Sequence, residues 1–260
     1  MKRLLTVVLA LLMVCVCTAA MADSDLDYIK NKGTLVVGIT DFEPMDYKNE
    51  AGEWIGFDAD LATAFAKSLG VKVEFMEIEW DNKILELNGK TIDCVWNGMT
   101  LTEEVLSSME CSNPYANNAQ VEILPADKAD AYPDVESLKD LTFAVEAGSA
   151  GEAVVKELGY ATVALSNQAA TLMEVAAQTS DAAVIDSLMA AAMVGEGTGY
   201  DQLVYTLGLN SEEYGGGFRK GSELASLLND FLVASYEDGS LMEIAETYGV
   251  QAAMIEQVKE

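Results

Sequence analysis

The feature that most constrains the fold is a regular alternation between strand-like and helix-like segments. An apolar run, Thr34–Thr40, is followed by Ala59–Leu69, whose apolar residues recur at helical spacing, with Gly70 as the stop. The next segments are a strand, a short helix and a strand, at Val71–Ile78, Asn82–Leu87 and Thr91–Trp96. The order β-α-β-α-β predicts a parallel sheet covered by helices.

The same alternation starts again after a polar stretch, rich in Ala and Asp, at 125–133. The predicted strands and helices are Leu141–Val145, Gly148–Leu158, Ala161–Leu165, Asn167–Gln178, Asp181–Ile185, Ser187–Val194, Ser222–Tyr236 and Leu241–Tyr248. A chain of 260 residues, of which 50% are hydrophobic, is long enough for two cores. We therefore predict an α/β fold with two lobes, each a mainly parallel sheet flanked by helices.

The first 22 residues have the features of a secretory signal peptide. Lys2 and Arg3 precede an apolar stretch, Leu4–Thr18, and small residues ending at Ala22 follow it. The stretch is shorter than the roughly 20 residues that a transmembrane helix needs. We therefore predict cleavage before Asp23 and a periplasmic or extracellular protein.

A lipid anchor is the alternative for this segment. Cys15 and Cys17 lie where a bacterial lipoprotein carries its modified cysteine. They follow Val14 and Val16, however, whereas lipoprotein signals usually have a small residue there. Cleavage without lipidation is the interpretation that we favour.

The charge balance excludes several kinds of partner. The sequence has 43 acidic and 15 basic residues, with a formal net charge of −28. Such a chain lacks the cationic surface that neutralises phosphates, so nucleic acid is not an expected partner. An anionic membrane surface would repel it as well.

The use of cysteine and histidine limits the chemistry. The sequence has no histidine, so a Cys–His nucleophile is impossible and the usual zinc ligand sets are incomplete. Beyond the signal peptide only Cys94 and Cys111 remain, and they either form a disulfide or lie buried as free thiols. We predict no catalytic residues, no metal and no cofactor.

Polar and aromatic residues follow the ends of the predicted strands. In open α/β sheets, ligands bind at the carboxyl ends of strands, where loops and helix N-termini present unpaired N–H groups. The residues at these places are Asp41, Phe42, Trp80, Asp81, Asn97–Thr100, Ser149 and Asp186. They are candidates for a site that binds a small molecule.

Six segments of the chain carry a resemblance to one family. They are GEWIGFDADL at 52–61, GKTID at 89–93, GMTLTEE at 98–104, CSNPY at 111–115, SDAAVID at 180–186 and YGGGFRKG at 214–221. In this order they resemble the periplasmic amino-acid-binding proteins of bacterial ABC importers, solute-binding protein family 3. The resemblance extends over Lys32–Tyr248.

The resemblance implies a periplasmic binding protein fold of type II, in which two hinge crossings join the lobes. The first lobe would comprise residues 23–119 and 214–260, and the second lobe residues 120–213. The crossings would fall near Asn118–Val121 and Leu209–Gly215.

The family pattern implies that Phe42 and Trp80 sandwich the side chain of the ligand, since aromatic faces offer apolar area and attract cations. The alternative is that each is an aromatic residue of the core. Trp96 alternates with Asn97, which belongs to the implied site, so Trp96 is expected in the core.

A ligand ammonium would be held by the Gly98 carbonyl, the Thr100 hydroxyl and the Asp186 carboxylate. The alternative for Asp186 is an N-cap of the following helix. Ile39 stands where relatives that bind cationic side chains often have an acid, so a neutral or polar side chain is favoured.

The carboxylate end departs from the family pattern, because Val105 stands where an arginine typically clamps the ligand. Arg219, the one arginine beyond the signal peptide, is expected to be structural. Lys83, at the start of the helix after Trp80, could also supply a cation, but a solvated surface lysine is the favoured interpretation. The remaining donors are the backbone N–H groups of Thr100, Ser149, Ala150 and Gly151. A non-standard amine or amino-acid derivative is therefore the alternative ligand.

The expected function is capture of an amino acid and delivery to the membrane permease of an ABC importer by hinged closure of a monomer. A periplasmic dehydratase acting on a cyclic acid is a minor alternative. It would need a positioned acid or base and, for an anionic substrate, arginines in the cleft. A membrane-tethered sensor of similar fold is a second alternative, which the sequence does not favour because no second apolar segment follows the signal peptide.

Overall fold

A computed structural model describes residues 24–259. The predicted signal peptide, with Cys15 and Cys17, lies outside the described residues, so its cleavage and lipidation stay predictions. Within residues 24–259, no helix combines the length and the apolar character that crossing a membrane requires.

The described chain forms two five-stranded sheets, each flanked by helices. In chain order the strands are β1 Thr34–Ile39, β2 Tyr47–Lys48, β3 Trp54–Ile55, β4 Lys72–Glu77, β5 Cys94–Val95, β6 Met109–Cys111, β7 Ala116–Asn118, β8 Gln120–Pro125, β9 Thr142–Glu146, β10 Ala161–Leu165, β11 Ala182–Asp186, β12 Leu203–Val204, β13 Glu212–Tyr214 and β14 Gly217–Arg219. The helices are α1 Asp25–Lys32, α2 Phe57–Ser68, α3 Lys83–Asn88, α4 Glu103–Ser108, α5 Ala150–Glu157, α6 Gln168–Ala176, α7 Ser187–Met193, α8 Leu224–Glu237 and α9 Ser240–Thr247.

The sheet of the first lobe has the strand order β4-β1-β5-β14-β6. β1 is parallel to β4 and β5, whereas β14 is antiparallel to β5 and β6. After Thr34 every residue of β1 is buried, as expected for a central parallel strand with both faces covered. The apolar stripe of α2, which includes Leu61 and Phe65, packs into the same core.

The sheet of the second lobe has the order β10-β9-β11-β8-β12. β9 is parallel to β10 and β11, and β8 is antiparallel to β11 and β12. Each lobe therefore has a group of three parallel strands, extended by one antiparallel strand and by an edge strand that runs in the direction of the group. The predicted α/β class is confirmed.

Two short strands run side by side between the lobes. β7 and β13 are antiparallel, with Ala116 opposite Tyr214 and Asn118 opposite Glu212. They lie at or next to the two stretches, Asn118–Val121 and Leu209–Gly215, where the family resemblance implies the hinge crossings. The boundaries at 119/120 and 213/214 stay a prediction.

Trp96 and Arg219 are both structural in the first lobe, as expected. Trp96 is fully buried and packs against Phe65 and Tyr115. The Arg219 guanidinium lies 3.0 Å from the Asp25 carboxylate and also donates to two main-chain carbonyls. Neither residue is available to a ligand.

The two cysteines do not form a disulfide. Cys94 on β5 is buried and Cys111 on β6 is half-buried, and both are free. β14 lies between these two strands. Strands are spaced by about 4.8 Å, so the backbones of β5 and β6 are about twice that distance apart, which exceeds the usual Cα–Cα distance of a disulfide.

Candidate ligand-binding site

A cavity of about 390 Å³ lies between the two lobes. Its volume falls in the range of roughly 300–1,000 Å³ that is typical of small-molecule sites. It is bordered by residues that follow β1, β4 and β5 in the first lobe and β9 and β11 in the second. All eight predicted binding residues line it: Phe42, Trp80, Asn97, Gly98, Thr100, Ser149, Ala150 and Asp186. Their roles in binding stay a proposal.

Phe42 is at once a buried aromatic and a residue of the cavity wall. It is 2% exposed and meets Tyr214 edge to face, with ring centroids 6.3 Å apart. A Cβ on Gly98 would lie 2.2 Å from Cε1 of Phe42, and Gly98 has a φ of 52°. Glycine is therefore required for this ring to lie over the loop after β5.

Asn97 is fully engaged within the first lobe. Its Oδ1 accepts from the N–H and the hydroxyl of Thr40, both at 2.9 Å, and its Nδ2 donates to the Thr40 carbonyl and to Asp46. The N–H of Gly98 donates to Asp58 at 2.6 Å. Asn97 therefore positions the loop that carries Gly98 and has no amide group left for a ligand.

Asp186 is the last residue of β11 and is 4% exposed. Its Oδ1 accepts from the amide of Asn118, from Gln120 Nε2 at 3.0 Å and from the Tyr214 hydroxyl at 2.6 Å. Its Oδ2 accepts from the amide of Gln168. Asp186 stands at the N-cap position of α7, but its side chain makes no capping bond, so the alternative in which the carboxylate caps this helix is wrong.

A second carboxylate, Glu212 on β13, ties the cavity to the hinge. Its Oε1 accepts from the Thr100 hydroxyl at 2.8 Å, from Asn118 Nδ2 at 2.7 Å and from Gln120 Nε2 at 2.7 Å. The same two amides also donate to Asp186. Thr100 donates here through its proton, which leaves its oxygen free to accept from an ammonium.

Glu146 is a residue of the cavity that the sequence analysis missed. It is the last residue of β9 and is 2% exposed, and its Oε1 has no hydrogen-bond partner within residues 24–259. Burial, together with the negative charge of Asp186, raises its pKa to about 8. Its place at a strand end was the signal that could have found it.

The pKa of Asp186 is raised in the same way. Burial is the main cause, the carboxylate of Glu212 adds to it, and hydrogen bonds from Tyr214 and Gln168 oppose it, which leaves the pKa at about 8. Two buried acids, Glu146 and Asp186, therefore face one cavity, and burial favours the protonated form of each. A cation placed between them would favour their ionisation.

The N-terminus of α5 borders the cavity from the second lobe. The Ser149 hydroxyl caps it by accepting from the N–H of Glu152 at 3.0 Å. The N–H of Ser149 donates to the Glu146 carbonyl at 3.2 Å, so it is not the free donor that the sequence analysis expected. Ala150 and Gly151 are in the first helical turn, where N–H groups have no intrahelical acceptor.

Lys83 is not the solvated residue that the sequence predicted. It is 6% exposed and lines the cavity, and its Nζ lies 4.9 Å from the centroid of the Trp80 ring. The Nζ donates to the Trp80 carbonyl at 3.2 Å and to the Gly148 carbonyl at 3.0 Å. The ammonium therefore spans the cleft from the first lobe to the second.

Known proteins resemble this chain in sequence. The arginine-binding extracellular protein ArtP of Bacillus subtilis (strain 168) is 29% identical over 227 residues, covering 84% of this chain and 86% of its own length. A probable histidine-binding protein of Neisseria gonorrhoeae is 31% identical, covering 84% and 85%. The L-cystine-binding protein TcyJ of Escherichia coli (strain K12) is 25% identical, covering 86% and 85%.

Solved structures resemble it in fold. The P235GK mutant of ArgBP from T. maritima superposes with a TM-score of 0.81 and 32% identity, covering 86% of this chain and 99% of its own. The ancestral amino-acid-binding protein AncCDT-1, a precursor of cyclohexadienyl dehydratase, gives 0.79 and 34%, with the same coverage. A family model for bacterial extracellular solute-binding proteins, family 3, matches residues 35–251. This chain belongs to that family.

Proposed function

We propose that this protein captures an amino acid outside the cytoplasm and delivers it to the permease of an ABC importer. The observation that carries the proposal is the cavity between the lobes, where Asp186 and the Thr100 oxygen offer acceptors to an ammonium group and α5 offers N–H donors to a carboxylate. Family membership and relatives named for arginine, histidine and cystine support it.

Ligand capture is coupled to hinged closure in this proposal. Residues of both lobes line the cavity, so a ligand contacts the two lobes at once only when they are close together. The ligand then shifts the population towards the closed form by its difference in affinity for the two forms. The closed form is what the permease would recognise.

Thermal unfolding with a panel of candidate ligands tests the proposal. A ligand that binds only the folded state adds about 2.7 kcal/mol of stability at a concentration 100 times its Kd, so one or more of the common L-amino acids, L-ornithine or L-cystine should raise the Tm. Cadaverine and glycine betaine are the controls for amines without the amino-acid head group. The proposal would be contradicted if only these controls raised the Tm, or if none of the compounds raised it.

Binding without turnover is the second part of the test, because one similar structure is that of a dehydratase precursor. A cyclohexadienyl acid incubated with the protein should remain unchanged, as followed by the ultraviolet absorbance of the solution. Appearance of the absorbance of an aromatic product at a catalytic rate would favour an enzyme instead.

A further inference from the structure

Lys83 is a buried cation that makes no direct ion pair among the described residues, although the negative charges of Glu104, Glu146 and Asp81 act on it from beyond 4.0 Å. It is 6% exposed, and within residues 24–259 no carboxylate lies within 4.0 Å of its Nζ. An ammonium has three N–H donors, of which two are used by the Trp80 and Gly148 carbonyls. Burying a charge is costly unless it is paired, so a cation that lines a cavity in this state calls for an anionic partner.

The free donors of the second lobe lie beside this ammonium. Gly148, whose carbonyl is 3.0 Å from Lys83 Nζ, immediately precedes the capping residue of α5. The next N–H groups, of Ala150 and Gly151, have no intrahelical acceptor, and the helix dipole adds partial positive charge there. A carboxylate placed in this corner would contact the ammonium and the helix N-terminus together.

The rest of the cavity wall is acidic. Among the described residues that line it, Lys83 is the one cationic side chain, and the acids are Glu103, Glu104, Glu146, Glu157 and Asp186. Val105 lies in the same wall, is 3% exposed and packs in an apolar cluster with Trp80. A ligand carboxylate therefore has one place in the cavity where a full positive charge meets it.

We propose that Lys83 binds the α-carboxylate of the ligand, together with the N-terminus of α5, and so makes the site selective for amino acids over derivatives that lack the negative charge of the carboxylate. The proposal rests on the proposed function, because it assumes an amino-acid ligand. The alternative is that Lys83 only bridges the lobes, through its hydrogen bonds to the Trp80 and Gly148 carbonyls.

Matched ligand pairs separate these two tasks. The probes are L-arginine, L-histidine and L-glutamine, each with its α-carboxamide, which has nearly the same shape but lacks the negative charge. Calorimetry gives the acid-to-amide affinity ratio for the wild type, Lys83→Met and Lys83→Arg. Lys67→Met on the exposed face of α2 is the control for loss of a lysine.

We expect Lys83→Met to weaken binding of the acid by roughly 10- to 100-fold, as for loss of a charge-assisted hydrogen bond, while binding of the amide changes by less than about threefold. The ratio then collapses towards one. Lys83→Arg should keep most of the ratio, and Lys67→Met all of it. Thermal unfolding without ligand checks that each variant is folded, and Lys83→Gln replaces the Met variant if that one does not fold.

Two outcomes overturn the proposal in distinguishable ways. If Lys83→Met weakens acid and amide equally, the lysine only bridges the lobes, and the proposed function stands without it. If the wild type binds neither these amino acids nor any other of the ligand panel, the proposed function fails, and the role of Lys83 fails with it.

Discussion

Asp186 and Glu146 are two buried acids whose pKa values are both raised to about 8 by burial. At pH 7 such groups are largely protonated, whereas an ammonium ligand pairs best with the ionised form. Ligand binding is therefore linked to proton release. Both residues belong to the second lobe, so the positive end of a ligand is drawn there.

We predict that Asp186→Asn weakens amino-acid binding by about 10- to 100-fold, because a charge-assisted hydrogen bond to the ligand ammonium is lost. In the wild type, affinity should rise from pH 6 towards pH 8, and binding at pH 7 should release protons. Calorimetry in two buffers of different ionisation enthalpy measures that release. Asp201→Asn, at an exposed site of the same lobe, is the control. Equal affinity in Asp186→Asn would contradict the assignment.

The same pKa values set the pH dependence of stability without ligand. In both acids the folded-state pKa of about 8 exceeds the ordinary values of 3.8 and 4.5, so the folded state holds more protons between these limits. Their contribution to the free energy of unfolding is full at low pH and is lost as the pH rises through about 8. Between pH 4 and pH 8, the free energy of unfolding should therefore fall less in Asp186→Asn than in the wild type, as measured by urea unfolding.

Glu146 bears on the side-chain preference of the site. The expectation of a neutral side chain considered Ile39 of the first lobe, whereas the Glu146 oxygen without a partner comes from the second lobe. A basic side chain that reaches it would gain a charge-assisted hydrogen bond at a buried site.

We therefore predict that Glu146→Gln weakens binding of L-arginine and L-lysine by about 10-fold or more, and that of L-glutamine by less than about threefold. The comparison is made by calorimetry. Glu157→Gln is the matched control, because Glu157 lines the same cavity but is exposed, where solvent screens its charge. Equal losses for basic and neutral ligands would show that Glu146 does not select the side chain.

At the scale of the elements, the three parallel strands of each sheet and the long helices were predictable from the sequence. The other strands of the two sheets, β6, β8, β12 and β14, were not predicted, and neither were the hinge strands or the burial of Lys83. The long segments carry a periodicity, so β1, α2 and β9 were predicted to within a few residues. β7 and β13 have three residues each, too few for any periodicity, and only the family pattern placed the crossings near them. Burial of Lys83 depends on Gly148, which is distant in sequence, and a single chain gives no signal of such a contact.

The loop after β5 offers a test of how one element shapes the site. We predict that Gly98→Ala weakens ligand binding by about 10-fold or more, because its Cβ would lie 2.2 Å from Cε1 of Phe42 and displace the ring. Gly70→Ala is the matched control, since Gly70 also has a positive φ, 78°, but nothing lies within 4 Å of its Cβ. In both variants, the left-handed backbone conformation of the new alanine lowers the free energy of unfolding by about 1–2 kcal/mol. Ligand affinity should separate them, and equal affinities would contradict the packing argument.

At the scale of the whole molecule, hydrogen bonds connect the cavity to the two hinge strands, β7 and β13. Glu212 lies on a hinge strand and accepts from the Thr100 hydroxyl of the cavity. Asn118, on the other hinge strand, donates to both Glu212 and Asp186. A ligand that contacts Thr100 and Asp186 therefore touches residues bonded to both crossings, so binding and hinge angle are linked.

The opposite side of the cavity is closed by a direct contact between lobes, and one glycine tests it. Gly148 of the second lobe has a φ of 70°, and a Cβ there would lie 2.6 Å from the Cα of Asp81 in the first lobe. Backbone cannot move aside as a flexible side chain does, so Gly148→Ala should hold the lobes apart. Gly159→Ala is a matched control in the same lobe, because Gly159 has a φ of 78° and nothing within 4 Å.

We expect the radius of gyration from small-angle X-ray scattering to fall when ligand saturates the wild type or Gly159→Ala, and to stay near its ligand-free value in Gly148→Ala. Affinity should fall by about 10-fold or more in Gly148→Ala, because the ligand then gains few contacts with the second lobe. The shared backbone strain affects both variants equally and cancels in the comparison. If Gly148→Ala became as compact as the wild type, lobe closure at this contact would not be needed for binding.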